Sequence, residues 1–212
     1  QGADGGRAAR PKLVYLVTED WYFLSHRLPM ALAAKQAGYD VHVATRADKL
    51  GAGIEAQGFT LHPLDWKRGS LNPMNIVSIV RQVRDLYRKL SPDIVHHVAL
   101  QPAVIGSLAA RGLPVMRVNA LAGLGFVFTS QSALAKAMRP PLAGLMRVLL
   151  NNERSAVLVQ NPDDRAAIGA IGIARAFAYG GHKNRALYDP AVPPTPHDSF
   201  EAYKKNTGPT IN

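Results

Sequence analysis

DIVHHVALQPAVIGSLAARGLPVMRVNALAGLGFVF, residues 93–128, decides how the chain folds. It reads as a buried strand ending in His96 and His97, a helix opening near Pro102 and closing at Gly112, and a second strand ending at Asn119. A strand, helix and strand in this order make a βαβ unit, with parallel strands joined by a right-handed crossover. In a parallel sheet both polar loops leave at the strands' C-terminal edge, where such folds bind ligands. His96, His97, Asn119 and the glycines Gly123 and Gly125 of the NALAGLG turn are therefore the first candidates for a site.

Working outward, the same pattern repeats. KLVYLV, residues 12–17, reads as a buried first strand, and residues 24–37 show helical spacing at Leu28, Leu32 and Ala33 before Gly38 closes the turn. Gly58, Gly112 and Gly172 close later helices in the same way, and Asn72-Pro73, Gln101-Pro102 and Asn161-Pro162 open them, because proline costs nothing where a first-turn N–H has no partner. Further strand patterns lie at residues 39–45, 59–64, 93–98, 114–118 and 155–160. Six strands alternating with helices predict an α/β fold, an open, mainly parallel, Rossmann-like sheet with helices on both faces. This domain is expected over residues 12–172, after a flexible leader at 1–11. Residues 173–212 offer one possible extra strand, IARAFAY, and then a proline-rich tail.

Composition narrows the function. The chain has 212 residues and no cysteine, which excludes disulfides and thiolate metal sites. No apolar run reaches the roughly 18 to 20 residues that span a bilayer, so a soluble chain is expected. The net charge of +10 is unevenly spread: no acidic residue lies between Asp93 and Glu153, while Arg111, Arg117, Lys136, Arg139 and Arg147 do. Phosphorylated small molecules or anionic lipid headgroups fit that field better than nucleic acid, because aromatic residues for base stacking are not interleaved with the cations. ALAKAMRPPLAGLMRVLL, residues 133–150, mixes cations with apolar residues around Pro140-Pro141, predicting a kink or two short helices, in the core or on a membrane surface. The arginines Arg81, Arg84 and Arg88 read as the solvated face of a helix over residues 72–90.

Familiar nucleotide motifs do not anchor the reading. The turn after the first strand, TEDWYFLSHR, has no glycine where a dinucleotide fingerprint needs it, and Gly51, Gly53 and Ala56 match the spacing only after the second strand. Neither a Walker A sequence nor a G-x-S-x-G turn occurs. The first turn instead offers Glu19, Asp20, Trp21, His26 and Arg27 near a helix start, a place suited to phosphate, although Trp21 could equally cap the sheet edge and Arg27 be solvated. Adjacent residues on a strand point to opposite faces, so His96 and His97 cannot share one metal, and no third ligand lies nearby. One of them could face a cleft; a packing or hydrogen-bonding role is the alternative for the pair. DWKRGSLN, residues 65–72, adds Trp66 as an aromatic platform with Lys67 and Arg68 as cations, the groups a sugar diphosphate would use.

Taken together, KLVYLVTEDWYFLSHRLPMALAAKQAGYDVHVATR, LDWKRGSLNP, DIVHHVALQP, VNALAGLGFVFTS and VLVQNPDD resemble the N-terminal half of family-4-type glycosyltransferases of the GT-B fold. The similarity is greatest to bacterial enzymes that extend lipid-diphosphate-linked glycans. It implies retaining, metal-independent transfer from a nucleotide-sugar donor, with the lipid-linked or saccharide acceptor held mainly by this half and the donor by a second Rossmann-like domain. A cytoplasmic location is the expectation, and the acid-free stretch with the segment 133–150 separately suggests contact with the inner face of the plasma membrane. The first-turn residues through Arg27, the DWKRGS loop, His96, His97 and the NALAGLG turn would then line the cleft, with His96, His97 and Asn119 the catalytic candidates. Where relatives often carry lysine after the fourth strand, this chain has Gln101. The residues after Gly172 do not resemble a donor domain. A truncated or frameshifted frame is the expectation, with this chain binding acceptor, no cofactor of its own and no transfer by itself. The alternative is a non-catalytic binding module that works with a separate donor-binding chain.

Overall fold

The computed structural model describes residues 10–67, 72–121, 132–159, 168–169 and 176–178, with backbone alone at 134–135 and 176–178. The chain divides into two compact units, residues 1–120 with 152–155, and residues 121–151 with 156–212.

The first unit contains β1 (Lys12–Glu19), α1 (Asp20–His26), α2 (Leu28–Gln36), β2 (Asp40–Arg46), α3 (Gly51–Ala56), β3 (Thr60–Pro63), α4 (Pro73–Leu90), β4 (Ile94–Val98), α5 (Leu100–Ala109) and β5 (Met116–Leu121), whose last residue passes into the second unit. Its strands pair in the order β3-β2-β1-β4-β5, every pair parallel. Successive side chains of β1 leave on opposite faces and both faces are covered. Val14 and Leu16 join Ile79, Val83 and Tyr87 of α4 and Ile105 of α5 in one cluster. Leu13, Tyr15 and Val17 join Phe23 of α1, Ala31 of α2 and Ile54 of α3 in another. Each fully buried aliphatic or Phe side chain contributes about 1.5–3 kcal/mol over its exposure to water. This is the open, parallel, two-faced α/β sheet that the sequence predicts, with all six expected strands formed.

The punctuation marks are where the sequence places them. Gly38, Gly58 and Gly112 take φ of 95°, 73° and 76°, the left-handed geometry that ends a helix most cheaply on glycine. Asn72 caps α4 by accepting from the Met74 amide at 2.9 Å, with Pro73 next. Gly172 and Asn161-Pro162 lie outside the described residues. Two boundaries differ from expectation. The first helix begins at Asp20 rather than Leu24 and breaks at Arg27, because Pro29 has no N–H to give the Ser25 carbonyl and α2 must start afresh. The helix expected near Pro102 begins at Leu100, which leaves Pro102 within its first turn.

In the second unit, α6 (Ala133–Leu150) is one continuous helix through Pro140 and Pro141 rather than two short ones. Met146, Leu149 and Leu150 are buried, while Met138, Leu145 and Val148 are exposed. β6 (Ser155–Val159), whose first residue belongs to the first unit, pairs in parallel with β7 (Ala176–Ala178). Among the described residues no helix is long and apolar enough to cross a membrane.

Candidate functional site

From β1 the chain first builds outward to β2 and β3, then crosses back to lay β4 on the other side of β1. Loops leaving the C-terminal ends of β1 and β4 therefore diverge, and the crevice between them is where open α/β sheets take ligands. Three polar features of the sequence meet the sheet there: Glu19 and Asp20 at the end of β1, Arg27 at the break between α1 and α2, and the two histidines of β4.

His96 and His97 do point to opposite faces. Register pairs Tyr15 with His96 and Leu16 with His97. The His96 ring stacks on Tyr15, with centroids 5.0 Å apart and planes at 25°, and its Nε2 is buried with no hydrogen-bond partner among the described residues. Burial, then the Arg27 charge, then His97, push its pKa down to about 3. His96 is thus neutral near pH 7, and it is close enough to Arg27 to feel the guanidinium. Arg27 is only 4% exposed, yet its Nε and Nη2 atoms find no acceptor and it joins no ion pair among the described residues. A buried guanidinium without a carboxylate is costly, and a neutral imidazole does not offset it.

His97 has the opposite character. It is fully buried, its Nδ1 donates to Asn119 Oδ1 at 2.7 Å, and its Nε2 accepts from the Tyr87 hydroxyl at 3.0 Å. Asn119 Oδ1 also accepts from Ser107 Oγ at 3.3 Å, and Asn119 Nδ2 donates to Ser155 Oγ at 3.1 Å. Burial outweighs the Asn119 bond and, with Arg117, pushes the His97 pKa down to about 4. A Cβ on Gly106 of α5 would collide with the ring, so α5 is fitted against it. Both ring nitrogens are occupied, and His97 with Asn119 ties α4, β4, α5, β5 and the start of β6 together.

The acidic pair also divides. Asp20 is buried and accepts from the Trp21, Asp48 and Leu50 amides at 2.7, 2.9 and 3.0 Å, so it orders the turn before α3. Glu19 is buried and paired through Oε2 with Arg46 at 3.2 Å, while its Oε1 has no hydrogen-bond partner among the described residues. Trp21 is exposed on α1, and exposed His26 stacks on Tyr22 at 4.3 Å with its Nδ1 2.6 Å from Ser25 Oγ. Trp66 corrects the expected platform: it is 3% exposed, in the core with Val14 and Ile79, because aromatic surface gains more there than at a solvated edge. Lys67 beside it is exposed. Arg68, Gly123 and Gly125 lie outside the described residues.

Sequence reasoning missed Tyr15 and Tyr87, which become partners of the histidines only once strand register and helix packing are known. It missed Arg46 for the same reason. It also missed Ala99, the residue between β4 and α5, which takes φ of 77° with ψ of 170°. That conformation is strained for alanine and belongs to the kind found where a backbone is shaped around a ligand. Among the described residues no three His, Asp or Glu side chains converge on a metal position.

The solved structures it resembles include a glycosyltransferase from Rickettsia africae (13% identity, TM-score 0.55, covering 84% of this chain and 44% of that one). Another is the sucrose-phosphate synthase of Thermosynechococcus elongatus (15%, TM-score 0.59, 80% and 47%). A third, named as a UDP-N-acetylglucosamine 2-epimerase, comes from Listeria monocytogenes (14%, TM-score 0.56, 80% and 45%). This chain spans less than half the length of each, and at such identities the likeness is one of fold. No curated protein sequence matches it. The family model described as "Glycosyl transferase 4-like" matches residues 12–161, and with the parallel sheet and the crevice at its switch point this chain belongs to that glycosyltransferase family, as one half of a GT-B fold.

Proposed function

We propose that this chain is the acceptor-binding half of a retaining glycosyltransferase and that its acceptor is a lipid-diphosphate-linked sugar. The observation that carries the reading is the Arg27 guanidinium, buried at the switch point with Nε and Nη2 unpartnered among the described residues, beside a neutral His96. Two oxygens of a diphosphate supply acceptors to Arg27 Nε and Nη2 in a charge-assisted, bidentate contact. The free Nε2 of His96 then meets a sugar hydroxyl or a further phosphate oxygen. With a pKa of about 3, His96 is a weak base, so its part is orientation rather than proton abstraction. His97 and Asn119 hold the crevice in shape. The nucleotide-sugar donor belongs to the complete enzyme, and its contacts lie beyond the residues that form this site. The same crevice also serves a chain that binds acceptor and leaves bond making to a separate donor-binding polypeptide.

An acceptor with a lipid tail requires access to a membrane surface. Helix α6 exposes Met138, Leu145 and Val148 within an arc of about 80°, with Lys136, Arg139 and Arg147 on the opposite side of the helix, an apolar strip backed by cations as in helices that lie on an anionic headgroup layer.

Calorimetric titration tests the reading. A short-chain lipid-diphosphate-linked sugar is expected to bind at least about tenfold tighter than the same sugar without its diphosphate, the effect of a fully used charged contact. Equal affinities for the two would remove the diphosphate from the proposal. Tighter binding of a nucleotide-sugar than of either would assign the crevice to the donor instead.

A further inference from the structure

A second concavity opens at the other end of the same unit. It holds about 520 Å³ and is lined by Gly112, Pro114, Arg117, Asn152, Glu153 and Arg154. Gly112 and Pro114 precede β5, and Asn152 to Arg154 precede β6. The concavity therefore sits at the N-terminal edge of the strands, opposite the edge that carries Arg27 and His96.

Its two arginines are held together by the backbone. The Arg117 amide donates to the Arg154 carbonyl at 2.8 Å. Asn152 Oδ1 accepts from Arg117 Nη2 at 2.6 Å and from the Arg154 amide at 3.2 Å. These bonds fix the Arg117 side chain and the Arg154 backbone beside each other, while the exposed Arg154 side chain is held by none of them. Burial and the Arg154 charge both lower the pKa of Arg117, so the pair is felt as an unfavourable one. The Arg117 Nε atom is buried and has no hydrogen-bond partner among the described residues. Among those residues neither guanidinium lies in an ion pair, although Glu153 lines the same concavity. The segment around Arg117 belongs to the acid-free stretch between Asp93 and Glu153, and Arg111 is exposed on the turn before it.

We infer that this concavity is a phosphate-binding site, separate from the crevice at the switch point, with Arg117 and Arg154 as its two cations. Two guanidinium forks at one place match a dianionic phosphate group better than a monoanionic carboxylate. Arg117 Nε supplies a donor already stripped of water. Arg154, exposed beside it, is free to close over a second oxygen, and Asn152 holds the Arg117 fork against the Arg154 backbone. The group that fits could be the phosphate of a free phosphorylated solute or of an anionic lipid headgroup, since the chemistry at the guanidinium is shared. The inference stands whether or not the crevice binds an acceptor, because it uses none of the same residues.

Nuclear magnetic resonance of the full chain labelled with 15N reads the site directly through its arginine Nε–Hε signals. Inorganic phosphate is expected to shift the Arg117 and Arg154 signals saturably, and Arg154→Gln is expected to raise the phosphate concentration needed for the Arg117 shift by about tenfold, as loss of one charge-assisted contact does. The Arg154→Gln spectrum, with unchanged dispersion elsewhere, shows that the fold is retained. Vesicles of phosphatidylcholine with phosphatidylglycerol separate the two sources. Co-sedimentation that Arg154→Gln abolishes and phosphate competes away identifies a headgroup site, and phosphate binding with no Arg154-dependent co-sedimentation identifies a soluble ligand. Signals of Arg117 and Arg154 that stay still, or that move without saturation just as they do in chloride, would overturn the inference. A saturable Arg117 shift unaffected by Arg154→Gln would overturn it equally.

Discussion

At the scale of single residues, two adjacent histidines divide the labour between binding and support. His96 keeps an open ring nitrogen at the crevice, whereas His97 spends both of its nitrogens on Tyr87 and Asn119. Because Asn119 Oδ1 can only accept, His97 carries its proton on Nδ1 and its Nε2 must receive the Tyr87 hydroxyl proton. Burial raises the pKa of Tyr87, which keeps that proton in place. Tyr87→Phe would leave a fully buried acceptor unmet, and a loss of about 1–3 kcal/mol in unfolding free energy is expected, measured by urea denaturation. A loss below about 0.5 kcal/mol would mean that the hydrogen bond contributes only its small net share. The histidine pair and its opposite orientation were legible in the sequence from strand alternation alone. Which of the two faced the crevice was not, since that depends on Tyr15 and Tyr87, brought in from β1 and α4 by packing and register.

At the scale of elements, the glycine stops, the Asn72 cap and the alternation of strands with helices carried the fold, because each is a local backbone preference that tertiary packing had no reason to override. Elements whose roles depend on distant partners were read less well. Arg84 of α4 looked like part of a solvated stripe, but its Nη1 donates to the Ala109 and Arg111 carbonyls at 2.8 Å each, and so caps the C-terminus of α5. Trp66 looked like a platform and is core. The first turn looked like a loop and is helix α1, broken at Arg27 by Pro29. For α6 the exposed face of Met138, Leu145 and Val148 makes a specific expectation. The chain should float with liposomes containing anionic lipid, and Val148→Glu should reduce the bound fraction several-fold by placing a charge in the apolar face. Flotation that is unchanged by Val148→Glu would move the membrane contact elsewhere on the chain.

At the scale of the whole molecule, two buried neutral histidines make stability depend on pH. In the unfolded chain each binds a proton near the ordinary value of 6.5, whereas in the folded chain His97 does so only near about 4 and His96 near about 3. Between those limits the unfolded state holds more protons, so stability falls as pH falls below 6.5. Each histidine contributes up to about 1.4 kcal/mol per pH unit. Urea midpoints between pH 6.5 and pH 5, a window above most carboxylate titration, should show this slope, to which His62, its pKa also lowered by burial, adds in the same direction. His96→Gln should remove the share of one histidine, up to about 1.4 kcal/mol per pH unit. A flat profile would mean that water reaches the rings.

Arg27 poses the sharper test, because a buried cation kept for a ligand weakens the fold that keeps it. Arg27→Met removes the buried guanidinium, whose Nε and Nη2 have no partner among the described residues, and preserves much of its apolar length. The decisive measurement pairs the urea midpoint of this variant with its affinity for a short-chain lipid-diphosphate-linked sugar. The account predicts a midpoint equal to or above that of the unaltered chain, together with an affinity lower by about tenfold or more. A lowered midpoint with unchanged affinity would show Arg27 to be a structural residue and would contradict the account.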